Sequence, residues 1–217
     1  HIPLRRQRQM CIRDRYTAVS ERLLGVVFGV AAQIVEEDIC SMEDVDRGAK
    51  VGLRWARGPF EMMNRIGVGE ACRMAKAYAQ TAGEGWTVPA FFADQGDGAW
   101  DFSYVDSNVS DGIATITINR PEAMNALNVL VIGQLTEAVA AANANDAVHT
   151  IVLDGAGKAF VAGADVKFFV DKIRADAIPD IYDFTADGHD LLNMLENSSM
   201  LSLSLIHISE PTRQHAI

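Results

Sequence analysis

The spacing of the apolar residues changes at Asp111-Gly112, and that change divides the chain into two kinds of structure. After it, Ile113 to Ile118 alternates β-branched residues and reads as a strand leaving a turn. Asn119-Arg120-Pro121 breaks that strand. From Asn125 the apolar residues return at Leu127, Val131, Leu135, Ala138 and Ala142, the spacing of an amphipathic helix. His149 to Leu153 predicts a second strand, and Asp154-Gly155-Ala156-Gly157 a turn. A short helix follows from about Val166 and a longer one over roughly Asp180 to Asn197. Strand, helix, strand, glycine loop and helix make a β-α-β unit with its loop after the second strand, where such units place ligands.

Before the change, residues 17–80 read as a helical array. Thr17 to Ile39 is apolar on most faces and should lie in the middle of its neighbours. Ser41 followed by Asp44 opens a second helix, Met42 to about Val51. Gly58-Pro59 opens a third, which Gly67 ends, and Glu70 to Gln80 forms a fourth, stopped by Gly83. Residues 81–110 hold Trp86, Phe91, Phe92, Trp100, Phe102 and Tyr104 without a sustained period, as a packed connector would. The arginines of residues 5–15 followed by Leu23 to Ala32 imitate a secretory leader. The apolar pattern runs on through Ile34, Val35 and Ile39, however, and the run is too short to span a bilayer. It reads as core, with no membrane role.

With 217 residues the chain has room for one ordinary domain or two small ones. A net charge of −10 excludes an ordinary nucleic-acid binder, which needs a clustered basic surface. Residues 1–15 carry +4 and the remainder −14. Cys11, Cys40 and Cys72 are odd in number and widely spaced, with no CxxC or histidine cluster. They support neither a disulfide framework nor a zinc or other metal site, and read as reduced thiols of a cytoplasmic protein.

The loop from Gly155 to Asp165 carries the chemistry. Ala162, Gly163 and Ala164 are small enough to leave backbone N–H groups uncovered, and Asp165 can cap the helix that follows. Such a place suits an oxygen that becomes negative during reaction, for instance a thioester carbonyl turning into an enolate. A plain glycine-rich strand-to-helix turn would use the same residues. A Walker loop is excluded, since Gly157-Lys158 lacks both the upstream glycine and a following Ser or Thr.

The run Asp111-Gly112-Ile113-Ala114-Thr115-Ile116-Thr117-Ile118-Asn119-Arg120-Pro121-Glu122-Ala123-Met124-Asn125-Ala126-Leu127 resembles the opening of enoyl-CoA hydratase (crotonase-like) proteins. Ile151 to Gly155 and Lys158-Ala159-Phe160-Val161-Ala162-Gly163-Ala164-Asp165-Val166 resemble that family's second strand and CoA-binding loop, in the same order and spacing. The resemblance covers about residues 111–200 and implies the N-terminal half of a crotonase-like ββα-spiral domain. It implies that the Ala164 N–H is one of two donors to the thioester oxygen. Ala162, Gly163, Asp165 and Val166 would line the acyl-CoA site, and Ala123 and Asn125 would flank the coenzyme. Lys158 is open to two readings, a contact to CoA phosphates or a solvated surface charge.

Glu43 to Lys50 and Gly58-Pro59-Phe60-Glu61-Met62-Met63-Asn64-Arg65-Ile66-Gly67 resemble the C-terminal helical domain of 3-hydroxyacyl-CoA dehydrogenases, over about residues 16–80. That family commonly has Asp where Asn64 stands. The fold class expected is therefore α+β or α/β, a dehydrogenase-like helical segment followed by a truncated crotonase-like domain. This order resembles fused bifunctional enzymes that hydrate a trans-2-enoyl-CoA and oxidise the 3-hydroxyacyl product with NAD, and whose parent protein would be a homo-oligomer. The alternatives are another crotonase-superfamily isomerase or hydrolase, or a non-catalytic acyl-CoA-binding and helical interaction module.

The chain shows no GxGxxG after a strand, so NAD would belong to a domain it lacks and no cofactor is expected to bind here. The resemblance puts the second oxyanion donor and two acid/base glutamates downstream of where this chain ends. His149 and His189 read as ordinary surface or helix histidines. Residues 1–15 and 201–217 resemble translated sequencing-adapter read-through around Arg6 to Arg15 and Ser204 to Arg213, and both ends are set aside from the fold.

Overall fold

Phe102 and Ser103 meet at the boundary between two compact units. The structure, a computed structural model, describes residues 4–82 and 86–204, with side chains from residue 17 onward.

The first unit is built from α1 (Leu4–Glu36), α2 (Met42–Gly52), α3 (Pro59–Ile66), α4 (Val68–Ala79) and the short α5 (Ala90–Asp94). Helix α1 touches each of the other four, the central place that its apolar faces predict. Phe28, Ala31 and Ala32 sit in the core with Phe60, Met63, Val68, Ala71, Ala75 and Phe92. Gly25 lets α1 approach α4 closely: a Cβ there would lie 2.4 Å from the Met74 carbonyl oxygen. Two expectations change for this helix. It starts at Leu4, so residues 4–15, set aside from the fold, have helical backbone continuous with the rest. Its segment Thr17–Glu36, with mean hydropathy 1.6, is long and apolar enough to cross a membrane by composition, a longer stretch than Leu23 to Ala32.

The stretch read as a connector divides between the units. Residues 86–102 close the helical core, with Phe91 and Phe60 packing on Trp100 at ring-centroid distances of 4.9 and 5.4 Å. Asn64 makes a reciprocal pair with the backbone of Trp100. Its Nδ2 donates to the Trp100 carbonyl at 2.9 Å while its Oδ1 accepts from the Trp100 N–H at 2.7 Å. A carboxylate could accept there but not donate.

Asp46 ties α2 to α3. It is buried, and its two carboxylate oxygens accept from the N–H groups of Phe60 and Glu61 at 2.8 and 2.9 Å, filling the open N-terminus of α3. Lys50 and Glu61 pair beside it at 2.7 Å. Burial pushes the Asp46 carboxyl up from the usual 3.8 to about 6, opposed by its two N–H donors, with the Glu61 charge raising and the Lys50 charge lowering it. The folded unit therefore holds this proton more tightly than the unfolded chain. The stability linked to Asp46 is greatest below about pH 4, falls as pH rises towards 6 and is flat above, a total of about 3 kcal/mol. All three tryptophans (Trp55, Trp86, Trp100) lie in this unit, so their fluorescence in urea reads it alone. The difference in stability between wild type and Asp46→Asn should shrink over that window; a difference independent of pH would contradict the assignment.

The second unit holds a four-stranded sheet in the order β1 (Val105–Ser110), β2 (Ile113–Ile118), β3 (Thr150–Gly155) and β4 (Leu201–Ser204). Strands β1 and β2 are antiparallel, joined by the two-residue turn Asp111-Gly112, both at positive φ (52° and 77°). That is the geometry in which an Asp-Gly pair matches the twist of a hairpin. Strands β2 and β3 are parallel and joined through α6 (Val129–Asn143), so the β-α-β unit is present. Ala114, Ile116 and Ile118 point to the buried face, where Val131, Ile132, Leu135 and Val139 of α6 also lie. Helices α7 (Val166–Arg174) and α8 (Ile178–Glu196) follow β3.

Several local expectations are corrected. Asn125 does not begin the helix: Asn128 caps it, accepting from the Val131 N–H at 2.9 Å, and residues 119–127 form a turn around the 3-10 segment Pro121–Ala123. Asp154 and Gly155 end β3 and do not begin the turn. Leu201–Ser204, set aside with the C-terminal segment, pairs with β3 from Thr150↔Leu201 to Leu153↔Ser204. Its alternating apolar residues are those of a strand. Residues 205–217 lie outside the described residues.

Candidate functional site

The loop between β3 and α7 is held by the turn that follows β2. The Ala162 N–H donates to the Met124 carbonyl at 3.1 Å, the Leu127 N–H to the Gly163 carbonyl at 2.9 Å, and the Asp165 N–H to the Leu127 carbonyl at 2.8 Å. Leu127 and Ala164 thus form an isolated parallel bridge. In an extended segment successive N–H groups point to opposite sides. With Gly163 O and Asp165 N–H both turned to Leu127, the Ala164 N–H points the other way. Among the described residues no hydrogen bond takes it up, and Ala162, Gly163 and Ala164 are all exposed. Gly163 has φ +105°, a conformation that would strain any side chain.

Asp165 caps α7, accepting from the Lys167 N–H at 3.1 Å, and so puts the positive end of that helix beside the open amide. Its other oxygen pairs with the Arg120 guanidinium at 3.0 Å, both side chains being largely buried. The same Arg120 nitrogen donates to the Ala126 carbonyl at 3.1 Å, and the guanidinium lies over the Tyr104 ring, 5.7 Å from its centroid. Arg120 read as a strand breaker in the sequence. Its part in the site is visible only once the two segments are brought together.

Asn125, expected in the segment that flanks the coenzyme, lies beneath the surface of the turn. Its side chain has no exposed surface and is fully engaged. Oδ1 accepts from the Arg120 N–H at 2.9 Å, and Nδ2 donates to the carbonyls of Ala156 and Ala159 at 3.0 and 2.6 Å. It builds the loop from behind. Ala123 is half-buried at the end of the 3-10 turn, and Val166 is 72% exposed at the start of α7. Lys158 is exposed on the loop. His149 precedes β3, at the end of the strand opposite the loop, and His189 is exposed on α8. Phe168, Phe169 and Phe184 pack α7 against α8 with centroids 5.0 to 5.5 Å apart.

The first unit does not fit a dinucleotide. Its described residues form helices and loops without a strand, so the strand, glycine turn and helix that cradle a pyrophosphate are not there. No chemical step is assigned to NAD in this chain.

Residues 19–95 match the family model of the 3-hydroxyacyl-CoA dehydrogenase C-terminal domain, and residues 113–207 that of enoyl-CoA hydratase/isomerase. A probable enoyl-CoA hydratase of Mycobacterium bovis is 41% identical over 75 residues, 35% of this chain and 27% of that protein. A trans-2-decenoyl-[acyl-carrier-protein] isomerase of Streptococcus mutans is 28% identical over 111 residues, 51% of this chain and 38% of that protein. The crystal structure of a probable enoyl-CoA hydratase from Mycobacterium smegmatis is 34% identical, with 48% of this chain and 41% of that chain covered and a TM-score of 0.41. The chain spans between about a quarter and two-fifths of the length of these relatives.

Proposed function

We propose that this chain, which joins a segment of a 3-hydroxyacyl-CoA dehydrogenase C-terminal domain to a segment of an enoyl-CoA hydratase/isomerase, binds the thioester oxygen of an acyl-CoA through the Ala164 N–H. The observation that carries the reading is that this one amide is turned away from its bridge to Leu127, exposed, and next to the N-terminus of α7. When water adds to a trans-2-enoyl-CoA, negative charge builds on the thioester oxygen. A preformed donor with a helix end beside it lowers the energy of that state. Ala162, Gly163, Asp165 and Val166 form the wall on which the thioester would lie, with Ala123 at its margin.

The parent protein would hydrate trans-2-enoyl-CoA and oxidise the 3-hydroxyacyl-CoA formed, using NAD bound in a domain outside this chain. It would be cytoplasmic, in keeping with the thiols Cys40 and Cys72, and a homo-oligomer. An isomerase is the second reading, favoured by the Streptococcus mutans relative. It would need the same stabilised enolate and differ in where the proton returns.

The resemblance assigns the second donor and both glutamates to sequence downstream of this chain. One missing donor alone costs on the order of 10² to 10³ in rate. Purified chain should therefore hydrate crotonyl-CoA at least about a hundredfold more slowly than a complete hydratase. Turnover equal to that of a complete enzyme would show that these residues suffice, and the division of labour proposed here would be wrong.

A further inference from the structure

We infer that Arg120 is the positioning residue of the thioester site: it clamps the Ala162–Asp165 loop to residues 124–127 and neutralises the carboxylate nearest the open Ala164 amide. The inference rests on the proposed role of that amide and adds to it a residue that makes no contact with substrate.

The geometry has two parts. The exposed loop is tied to the preceding turn by only three backbone hydrogen bonds, at Ala162, Leu127 and Asp165. That turn contains two residues in the left-handed region, Met124 (φ 51°) and Asn125 (φ 55°), so its shape must be imposed by partners. Asn125 imposes it from behind, through Arg120 N, Ala156 O and Ala159 O. In front, one Arg120 nitrogen reaches the Ala126 carbonyl on the turn and the Asp165 carboxylate on the loop. Arg120 is therefore a side-chain strut from one segment to the other, and Tyr104 packs against its outer face.

The second part is charge. Asp165 is needed as the cap of α7, yet its carboxylate is adjacent in sequence to the amide that would receive a developing oxyanion. Alone it would oppose the charge that the site must accept. With both side chains largely out of water, screening is weak, and the guanidinium at 3.0 Å cancels most of that repulsion. The pair keeps the cap and removes its electrostatic penalty.

Amide hydrogen exchange of the 217-residue chain, followed by NMR, reads the clamp without any ligand. Arg120→Gln should speed exchange at Leu127 and Asp165 by about tenfold or more, the loss of one to two hydrogen bonds to charged groups. Ile116 and Ile151 in β2 and β3 should change less than about twofold, which a general loss of stability would not allow. Unchanged exchange at Leu127 and Asp165, or an equal rise at all four, overturns the clamp. Calorimetric titration with crotonyl-CoA reads the charge effect. Arg120→Gln should weaken binding about tenfold, and Arg120→Gln with Asp165→Asn should recover most of it, because the uncompensated carboxylate is gone. A double variant as weak as the single one overturns that half. Absence of crotonyl-CoA binding to the wild-type chain would remove the proposed function, while the exchange rates would still decide whether Arg120 holds the loop.

Discussion

Asn125→Ala is expected to destabilise the second unit by about 3–5 kcal/mol, a large fraction of the total stability of a small domain. The side chain is fully buried and makes three hydrogen bonds, to Arg120 N, Ala156 O and Ala159 O. Alanine leaves one donor and two acceptors without these partners, at about 1 kcal/mol or more each. It also puts a residue with no side-chain amide at φ 55°, where asparagine is better tolerated and alanine loses about another 1 kcal/mol. Asn125→Gly separates the two causes: it relieves the backbone and keeps the hydrogen-bond loss, so it should recover about 1 kcal/mol relative to alanine. Circular dichroism in urea, with tryptophan fluorescence read alongside, makes the measurement, because no tryptophan lies in this unit. The fluorescence transition should stay in place while part of the helical signal is lost earlier. Equal stability of Asn125→Ala and wild type would show that the buried amide is not what builds the loop.

Gly58→Ala should have an effect of similar size in the first unit, about 3 kcal/mol. A Cβ on Gly58 would stand 2.1 to 2.5 Å from the Cγ, Cβ and Cα of Asp46, and one of those atoms is backbone. No rotation of a side chain makes room, so α2 must move off α3. The shift stretches the Asp46 hydrogen bonds to Phe60 and Glu61 and leaves a buried carboxylate poorly partnered. Asp46→Ala is the companion variant. It removes the Cγ at 2.1 Å and the carboxylate whose hydrogen bonds the shift stretches, while Cβ and Cα stay in place, so Gly58→Ala added to Asp46→Ala should cost less than Gly58→Ala alone costs the wild type. Tryptophan fluorescence in urea measures all four proteins. Additive effects would mean that Gly58 and Asp46 do not meet in the way the geometry requires.

These two positions also show where the sequence was legible. The helical array, the β-α-β unit and the capping role of Asp165 follow from spacing and from residue type, and the structure has them. Asp46 does not stand out in Glu43-Asp44-Val45-Asp46-Arg47, which looks like a solvated charged face; only the approach of the Gly58-Pro59 corner buries it. Asn125 looked like a helix start because Leu127 and Val131 continue its spacing, whereas its amide is consumed by carbonyls more than thirty residues away. Strand β1 is not legible in the sequence because Asp106 to Ser110 are all exposed and leave no alternation, although Asp111-Gly112 is itself a hairpin signal. The five residues of α5 are too few to show a period. In the loop, small side chains announced uncovered amides but could not say which were free. That answer depends on Leu127, which takes up the Gly163 carbonyl and the Asp165 amide and leaves Ala164.

The Ala164 amide can be tested directly. In a proton–nitrogen NMR titration of the chain with crotonyl-CoA, its proton signal should move downfield, as expected when an amide without a partner gains a carbonyl oxygen. Ala164→Pro, which removes the donor without removing any hydrogen bond among the described residues, should abolish the binding. An Ala164 signal that stays still while crotonyl-CoA binds, or an Ala164→Pro chain that binds as well as wild type, would contradict the assignment of this amide as the oxyanion donor.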